Sequence, residues 1–260
     1  MNIKIIEMTN QTWNADQYIN HASFVPELGN PVLKLLNPKQ GETILDLGCG
    51  DGNLTLNIAE TGAKAYGIDK SESMIAAARK RGIEAEVGSG ETMNFQDQFD
   101  AVFSNAALHW MTDYQSVINR VHQSLKTNGR FVGELGGQGN IASLLEVMQR
   151  LFEKYDDFGD FNNPWFFPSA TAYQQALEAG GFEVTYIELI PRPTPLKSGV
   201  KAWLKIFANT ITQSLNETQK TKFYQEAEDL LKPVLYTEKE GWVADYVRLR
   251  FTASKVENRF

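Results

Sequence analysis

Residues 44–53 read Ile44-Leu45-Asp46-Leu47-Gly48-Cys49-Gly50-Asp51-Gly52-Asn53, an apolar strand running straight into three alternate glycines and then a helical stretch. Glycine lacks a Cβ and tolerates positive φ, so three at this spacing describe a loop folded tightly against a ligand. A second strand, Lys64 to Ile68, ends in Asp69, where a carboxylate can accept hydrogen bonds from both hydroxyls of a ribose. The pattern departs from the dinucleotide fingerprint G-x-G-x-x-G. Its third glycine comes one residue early, position 53 is Asn, and Asp46 precedes the first glycine by two residues. An acid there would repel a pyrophosphate and favour a cation, so the loop suits a positively charged nucleoside derivative.

Outward from this loop, short apolar strands alternate with helical stretches, the signature of a parallel sheet wrapped by helices. Seven strands are expected: Thr43 to Leu47, Lys64 to Ile68, Glu84 to Val87, Phe99 to Ser104, Arg130 to Glu134, Glu183 to Ile190 and Tyr246 to Thr252. Helices are expected at Asn53 to Glu60, Glu72 to Arg81 behind a Ser71 cap, Asp113 to Leu125, Ile141 to Tyr155 and Ala170 to Ala179. The fold class is α/β, a Rossmann-like doubly wound sheet carrying a helical lid. The chain reads as one domain: a helical cap over 1–40, a core over 41–190 and 244–254, and a lid inserted at 191–243. A Pro-rich bend (191–195) opens the lid, and two amphipathic helices, Gly199 to Gln213 and Glu217 to Leu231, follow.

Composition narrows the partners. Lys and Arg number 25 against 32 Asp and Glu, a formal charge of -7, so no cationic surplus exists to neutralise nucleic acid. The single cysteine, Cys49, closes no intrachain disulfide, and His21, His109 and His122 form no local metal-ligand cluster with it. No metal is expected, and a reducing, cytoplasmic setting fits. The opening residues lack the apolar stretch of a secretory signal, and no run approaches a membrane span.

At D-L-G-C-G-D-G (46–52) and at the D-x-S-x-x-M of Asp69, Ser71 and Met74, the chain resembles the class I S-adenosylmethionine-dependent methyltransferases. The likeness continues through F-D-A-V-F-S-N-A-A-L-H-W (99–110) and N-G-R-F-V-G-E (128–134). Within that family the Asn-Ala-x-Leu-x-Trp run is similar to the trans-aconitate and malonyl-carrier-protein carboxyl methyltransferases. The resemblance implies a seven-stranded sheet with its last strand antiparallel, and S-adenosyl-L-methionine as cofactor with S-adenosyl-L-homocysteine as product. It places Gly48 and Gly50 against the methionine part, Asp46 near the amino group, Asp69 on the ribose and Met74 beside the adenine. The family commonly has Asp after the third strand, where this chain reads Ser89-Gly90-Glu91. The adenine would then be held by the Ser89 hydroxyl or by the backbone of Gly90 and Glu91.

Ligands in such folds bind at strand ends where the sheet order switches, so Asn105, Leu108, His109 and Trp110 are expected to line the site. Asn105 falls on the cofactor side and Leu108 on the acceptor side. His109 is placed to act as base or to touch substrate, and Trp110, with Trp13 and Tyr18, can form an aromatic wall. An apolar cover is expected from residues 162–168 together with Trp203, Phe207 and Ile211, suiting a hydrophobic substrate or plain packing. Arg192, with Arg248 or Arg250, can clamp a carboxylate. The expected activity is methyl transfer to a small-molecule or lipid-like acceptor, such as a carboxylate. Alternatives are carbon methylation or methylene transfer to an unsaturated acyl chain, a non-catalytic cofactor-binding module and, against the glycine spacing, a nicotinamide oxidoreductase.

Overall fold

The structure, a computed structural model, describes residues 29–256. Most of the expected N-terminal cap, with Trp13, Tyr18 and His21, lies outside the described residues. The first described helix, α1 (Asn30–Leu36), ends where Asn37 turns left-handed at φ 49°. The first six strands are β1 (Thr43–Leu47), β2 (Lys64–Asp69), β3 (Glu84–Val87), β4 (Phe99–Asn105), β5 (Leu125–Gly136) and β6 (Phe182–Pro191). An insertion then carries β7 (Thr194–Pro195), β8 (Tyr236–Thr237) and β9 (Gly241–Ala244) before the last strand, β10 (Val247–Lys255).

The main sheet runs β3-β2-β1-β4-β5-β10-β6. Neighbours from β3 to β5 pair parallel, whereas β10 is antiparallel to both β5 and β6. The expected seven-stranded sheet with an antiparallel last strand is therefore present. The order reverses between β1 and β4, which opens a crevice at the carboxyl ends of those strands. Because β10 runs the other way, its first residues, Val247 and Arg248, arrive at that same edge.

Helices α2 (Asn53–Ala59), α3 (Glu72–Lys80), α4 (Tyr114–Ser124), α5 (Ala142–Lys154) and α6 (Ala170–Ala179) connect the core strands. Their starts follow local chemistry: the Ser71 and Ser169 hydroxyls accept from Met74 N and Ala172 N, each capping a free N–H of the first turn. Alternation along the strands supplies both sheet faces. Leu45, Val102, Phe131 and Phe251 pack with Val117, Val121 and Leu177 on one side; Ile44, Phe103 and Val132 pack with Val32, Leu36 and Ile58 on the other. A fully buried side chain of this size contributes about 1.5–3 kcal/mol, and burial on both faces is what a parallel sheet requires.

Two parts differ from the sequence expectation. Strand β5 begins at Leu125 rather than Arg130, and the register against β4 shifts between Phe99 and Ala101 where Asn128 takes φ 61°. The insertion holds three helices, α7 (Gly199–Phe207), α8 (Asn209–Thr212) and α9 (Glu217–Leu235), plus a small antiparallel sheet in the order β7-β9-β8. Strands of two to four residues are too short to show a two-residue period. Helix α9 buries Phe223, Ala227 and Leu231 in the same cluster as Met148, Leu151 and Phe152 of α5, so the insertion shares a core with the sheet's own helix.

Candidate active site

All three loop glycines have positive φ: 76° at Gly48, 55° at Gly50 and 79° at Gly52. Their reasons differ. A Cβ at Gly48 would lie 2.2 Å from the Ala107 Cβ, and one at Gly52 would lie 2.9 Å from the Ala78 Cβ. At Gly50 a Cβ would meet nothing within 4 Å, so this glycine leaves open space rather than relieving a clash. The loop is tied down by Gly48 N and Cys49 N, which both donate to Ile68 O at 2.8 and 3.0 Å.

Asp69 closes the loop from the neighbouring strand. Its Oδ2 accepts from Gly50 N at 3.0 Å and its Oδ1 from Ser71 N at 2.8 Å. Burial pushes its pKa up, and those two N–H groups oppose the push. Each carboxylate oxygen keeps a second lone pair for a ligand. Beside it, Met74 and Asn105 line the same recess. The buried Oδ1 of Asn105 has no hydrogen-bond partner among the described residues. The open space that Gly50 leaves, an acceptor carboxylate and an orphaned amide oxygen fit an adenosyl cofactor.

Several expected site residues lie elsewhere. Asp46 is buried beneath the loop, where Thr55 of α2 donates to its Oδ2 at 2.6 Å; it shares the α2-facing side of β1 with Ile44 and does not line the recess. Burial, and to a lesser degree Asp69, push its pKa up to about 7 against the lowering bond from Thr55. Burial likewise raises the Cys49 thiol, leaving it unreactive. Ser89 and Glu91 bond one another and Lys70 pairs with Glu91 at 3.0 Å, outside the lining of the recess. Gly90 is packed, its place for a Cβ 3.0 Å from Leu47 and Met111. Leu108 turns into the core beside Leu45 and Leu47 instead of toward an acceptor. Arg192 forms an ion pair 2.8 Å from Glu134, whose other oxygen accepts from Arg250 at 2.9 and 2.7 Å, so neither arginine lines the recess. Tyr18 lies outside the described residues.

The recess does bring Gly48, Gly50, Asp69, Met74, Asn105, His109 and Trp110 together. The whole recess, these residues included, holds about 780 Å³ of empty space counting the part open to solvent. His109 stands on a short 3-10 turn, Leu108–Trp110, entered through Ala106 at φ 57°. Its Nδ1 accepts from Gly136 N at 3.3 Å, which leaves the ring proton on Nε2. Burial, with Arg248 nearby, holds its pKa well below 6.5. His109 is thus a neutral donor here, and the base role drawn from the sequence does not suit this tautomer.

The far end of the recess was only partly legible beforehand. Trp165, Phe167, Trp203 and Phe207 line it, and Trp165 and Trp203 belong at the same time to the core that the insertion shares with α5. Trp165 lies 5.4 Å from Trp110 and 6.4 Å from Trp203, and Trp203 donates from Nε1 to the Tyr246 hydroxyl at 2.6 Å. Arg248, 5% exposed, lines the recess with its guanidinium 4.5 Å from the Tyr246 ring centre. Asn140 and Ile141 complete it; Ile141, at φ 50°, holds a strained conformation for a β-branched residue. Gly136 at the end of β5 and the glycines at 137 and 139 after it were the available signal for this loop.

A glycine loop, a strand-end carboxylate and a switch-point recess define a nucleoside-cofactor enzyme of Rossmann-like fold. A family model described as a methyltransferase domain matches residues 45–133. An uncharacterized methyltransferase of Schizosaccharomyces pombe is 36% identical across 95% of this chain and 100% of its own. A trans-aconitate 2-methyltransferase of Mycolicibacterium gilvum is 34% identical over 42% of this chain and 43% of its own, so that match spans less than half of the relative. Among solved structures, a phosphoethanolamine N-methyltransferase of Haemonchus contortus in complex with S-adenosylhomocysteine shares the fold, with TM-score 0.57, 18% identity, and coverage of 89% of this chain and 53% of that one. The chain belongs to the class I S-adenosylmethionine-dependent methyltransferases. Among the described residues no group of His, Cys, Asp and Glu is arranged to hold a metal ion, and no helix is long and apolar enough to cross a membrane.

Proposed function

We propose that this methyltransferase acts on a small-molecule carboxylate and forms a methyl ester. The observation that carries the reading is Arg248, a buried cation in the same recess as the glycine loop. Three strand spacings, roughly 14 Å at about 4.8 Å each, separate the end of β1 from β10, room for a cofactor on one side and an acceptor on the other. The name of the trans-aconitate relative, a carboxylate's, supports the same class. A buried guanidinium disfavours an ammonium acceptor by charge repulsion and favours an anion.

Gly48, Gly50, Asp69, Met74 and Asn105 would hold the cofactor. When bound, S-adenosylmethionine supplies a methyl group on a sulfonium sulfur, which passes to an acceptor lone pair as the carbon–sulfur bond breaks and leaves S-adenosylhomocysteine. An acceptor that is already an anion needs no proton removed, so the chain's task is alignment, worth up to about 7–11 kcal/mol for well-oriented partners. His109 Nε2–H and Arg248 would orient the carboxylate, and Trp110 would stand beside the sulfonium. The insertion at 191–243 would act as cover and exclude water. Incubation with methyl-labelled cofactor and a panel of acids tests the reading: the label should enter a product that mild base releases as methanol. Label that survives base would indicate carbon methylation instead, the second reading that the aromatic wall favours.

A further inference from the structure

Gly136 joins the polar and apolar ends of the recess. Its N–H holds His109 Nδ1, its β-sheet partner on β10 is Arg248, and a Cβ there would strike Phe167 at 2.4 Å and Asn140 Nδ2 at 2.8 Å. Asn140 is itself 2% exposed, and its Oδ1 accepts from Val247 N at 3.0 Å. That bond fixes the amide orientation and turns its NH₂ away from the strand, beside Gly136 in the recess wall. Asn140, His109 and Arg248 therefore make one corner with N–H donors.

The rest of the wall is different. Trp165, Phe167, Trp203 and Phe207 face the same space, with Trp165 and Phe167 stacked at 6.0 Å and Trp203 and Phe207 5.2 Å apart. The two other arginines of this end, Arg192 and Arg250, are engaged by Glu134 outside the recess. One anion-binding corner thus opens onto a chamber of aromatic rings. A second or third carboxylate on the acceptor would be desolvated against indole and phenyl faces, since Arg248 is the one Lys or Arg among the described residues that line the recess.

We propose that the acceptor is an apolar monocarboxylic acid, held at its carboxylate by Asn140 and Arg248 and at its hydrocarbon body by Trp165, Trp203 and Phe207. The proposal rests on the carboxylate reading above and names the class of acid. Asn140 becomes a specificity-determining residue, since the bond from Val247 N holds its oxygen toward β10 and leaves its NH₂ on the recess side.

The test is titration calorimetry on the full chain loaded with S-adenosylhomocysteine, using straight-chain acids from butanoate to dodecanoate, the matching primary amides, and tricarballylate. Affinity should rise with chain length, and dodecanoate should bind at least about tenfold tighter than tricarballylate. Arg248→Met and Asn140→Leu should each weaken the long acid about ten- to a hundredfold, as expected for loss of a charge-assisted bond, while weakening the neutral amide less and leaving S-adenosylhomocysteine binding unchanged. Arg248→Lys, which keeps the charge at a buried site, should recover part of the acid affinity. Trp203→Ala should weaken dodecanoate more than butanoate. Tighter binding of tricarballylate, with a base-labile ester still formed from it, would overturn the apolar monoacid and leave carboxyl methylation standing. Equal binding of acid and amide, with no ester from any acid, would remove the carboxylate reading itself.

Discussion

Asp69 and Gly50 are joined by a 3.0 Å hydrogen bond from the glycine N–H to the carboxylate, so the residue expected to hold the ribose also sets the shape of the loop beneath it. Asp69→Asn replaces one acceptor oxygen by a donor that confronts Gly50 N or Ser71 N. Hydrogen bonds to a charged group contribute about 1.5–3 kcal/mol, so S-adenosylhomocysteine affinity should fall about ten- to a hundredfold by calorimetry. An unchanged dissociation constant would separate the carboxylate from cofactor binding.

Gly48 and Gly50 should respond to substitution in opposite ways. Gly50→Val directs a side chain into open space at φ 55°, so the fold should survive with a strain of about 1–2 kcal/mol while cofactor binding is blocked. Gly48→Ala drives a Cβ into Ala107 at 2.2 Å, and its main effect should be a lower melting temperature. Circular-dichroism melts paired with calorimetry distinguish the two.

Asp46 predicts a pH signature in stability. Its folded pKa is raised from 3.8 to about 7, so between those values the folded state binds more protons than the unfolded state. The contribution of Asp46 is complete below about pH 3.8 and is lost as pH rises through 7. Asp46→Asn, which mimics the protonated acid and can still accept from Thr55, should abolish that part of the slope. Its melting temperature should gain on the wild type as pH rises from 5 to 8. A constant difference across that range would contradict the buried-acid assignment.

His109 is held neutral, its pKa depressed below 6.5, so it adds no acid limb to kcat/KM at and above neutral pH. His109→Gln keeps a donor and should lower kcat/KM by less than about tenfold. Loss of a general base would instead lower it about a hundredfold or more, with a changed pH profile.

Glu134 stands 1% exposed between Arg192 and Arg250, whose side chains keep 18% and 17% exposure. Glu134→Gln leaves two guanidinium groups facing each other across β5, β6 and β10. The expected loss is about 3 kcal/mol, toward the low end for a broken buried pair because the arginines retain some water. Urea denaturation measures it directly.

Much of the cofactor half could be read along the chain because its signals are local. Glycines 48, 50 and 52 sit within one turn, and Asp69 ends the next strand; their spacing already encodes a strand, a loop and a strand end. The same locality misled at Asp46, which is near the glycines in sequence but points to α2, since successive strand residues face opposite sides of the sheet. Leu108 erred in a similar way: within a three-residue turn His109 and Trp110 reach the recess while Leu108 packs inward. Arg192, Arg248 and Arg250 looked equivalent as arginines, and only pairing with Glu134 tells them apart.

By itself, the order of apolar and helical stretches determined the doubly wound sheet, and the glycine spacing with Asp69 pointed to a nucleoside cofactor, because each depends on local order along the chain; the cationic charge inferred from Asp46 was not part of it, since that carboxyl faces α2. The acceptor chamber was decided by tertiary structure. Asn140 and Val247 are 107 residues apart and meet only because β10 inserts antiparallel between β5 and β6. That insertion carries Arg248 to the carboxyl edge of the sheet and seats Trp203 on Tyr246. Chain order records no such proximity; the burial of two sheet faces and of the α5–α9 interface creates it.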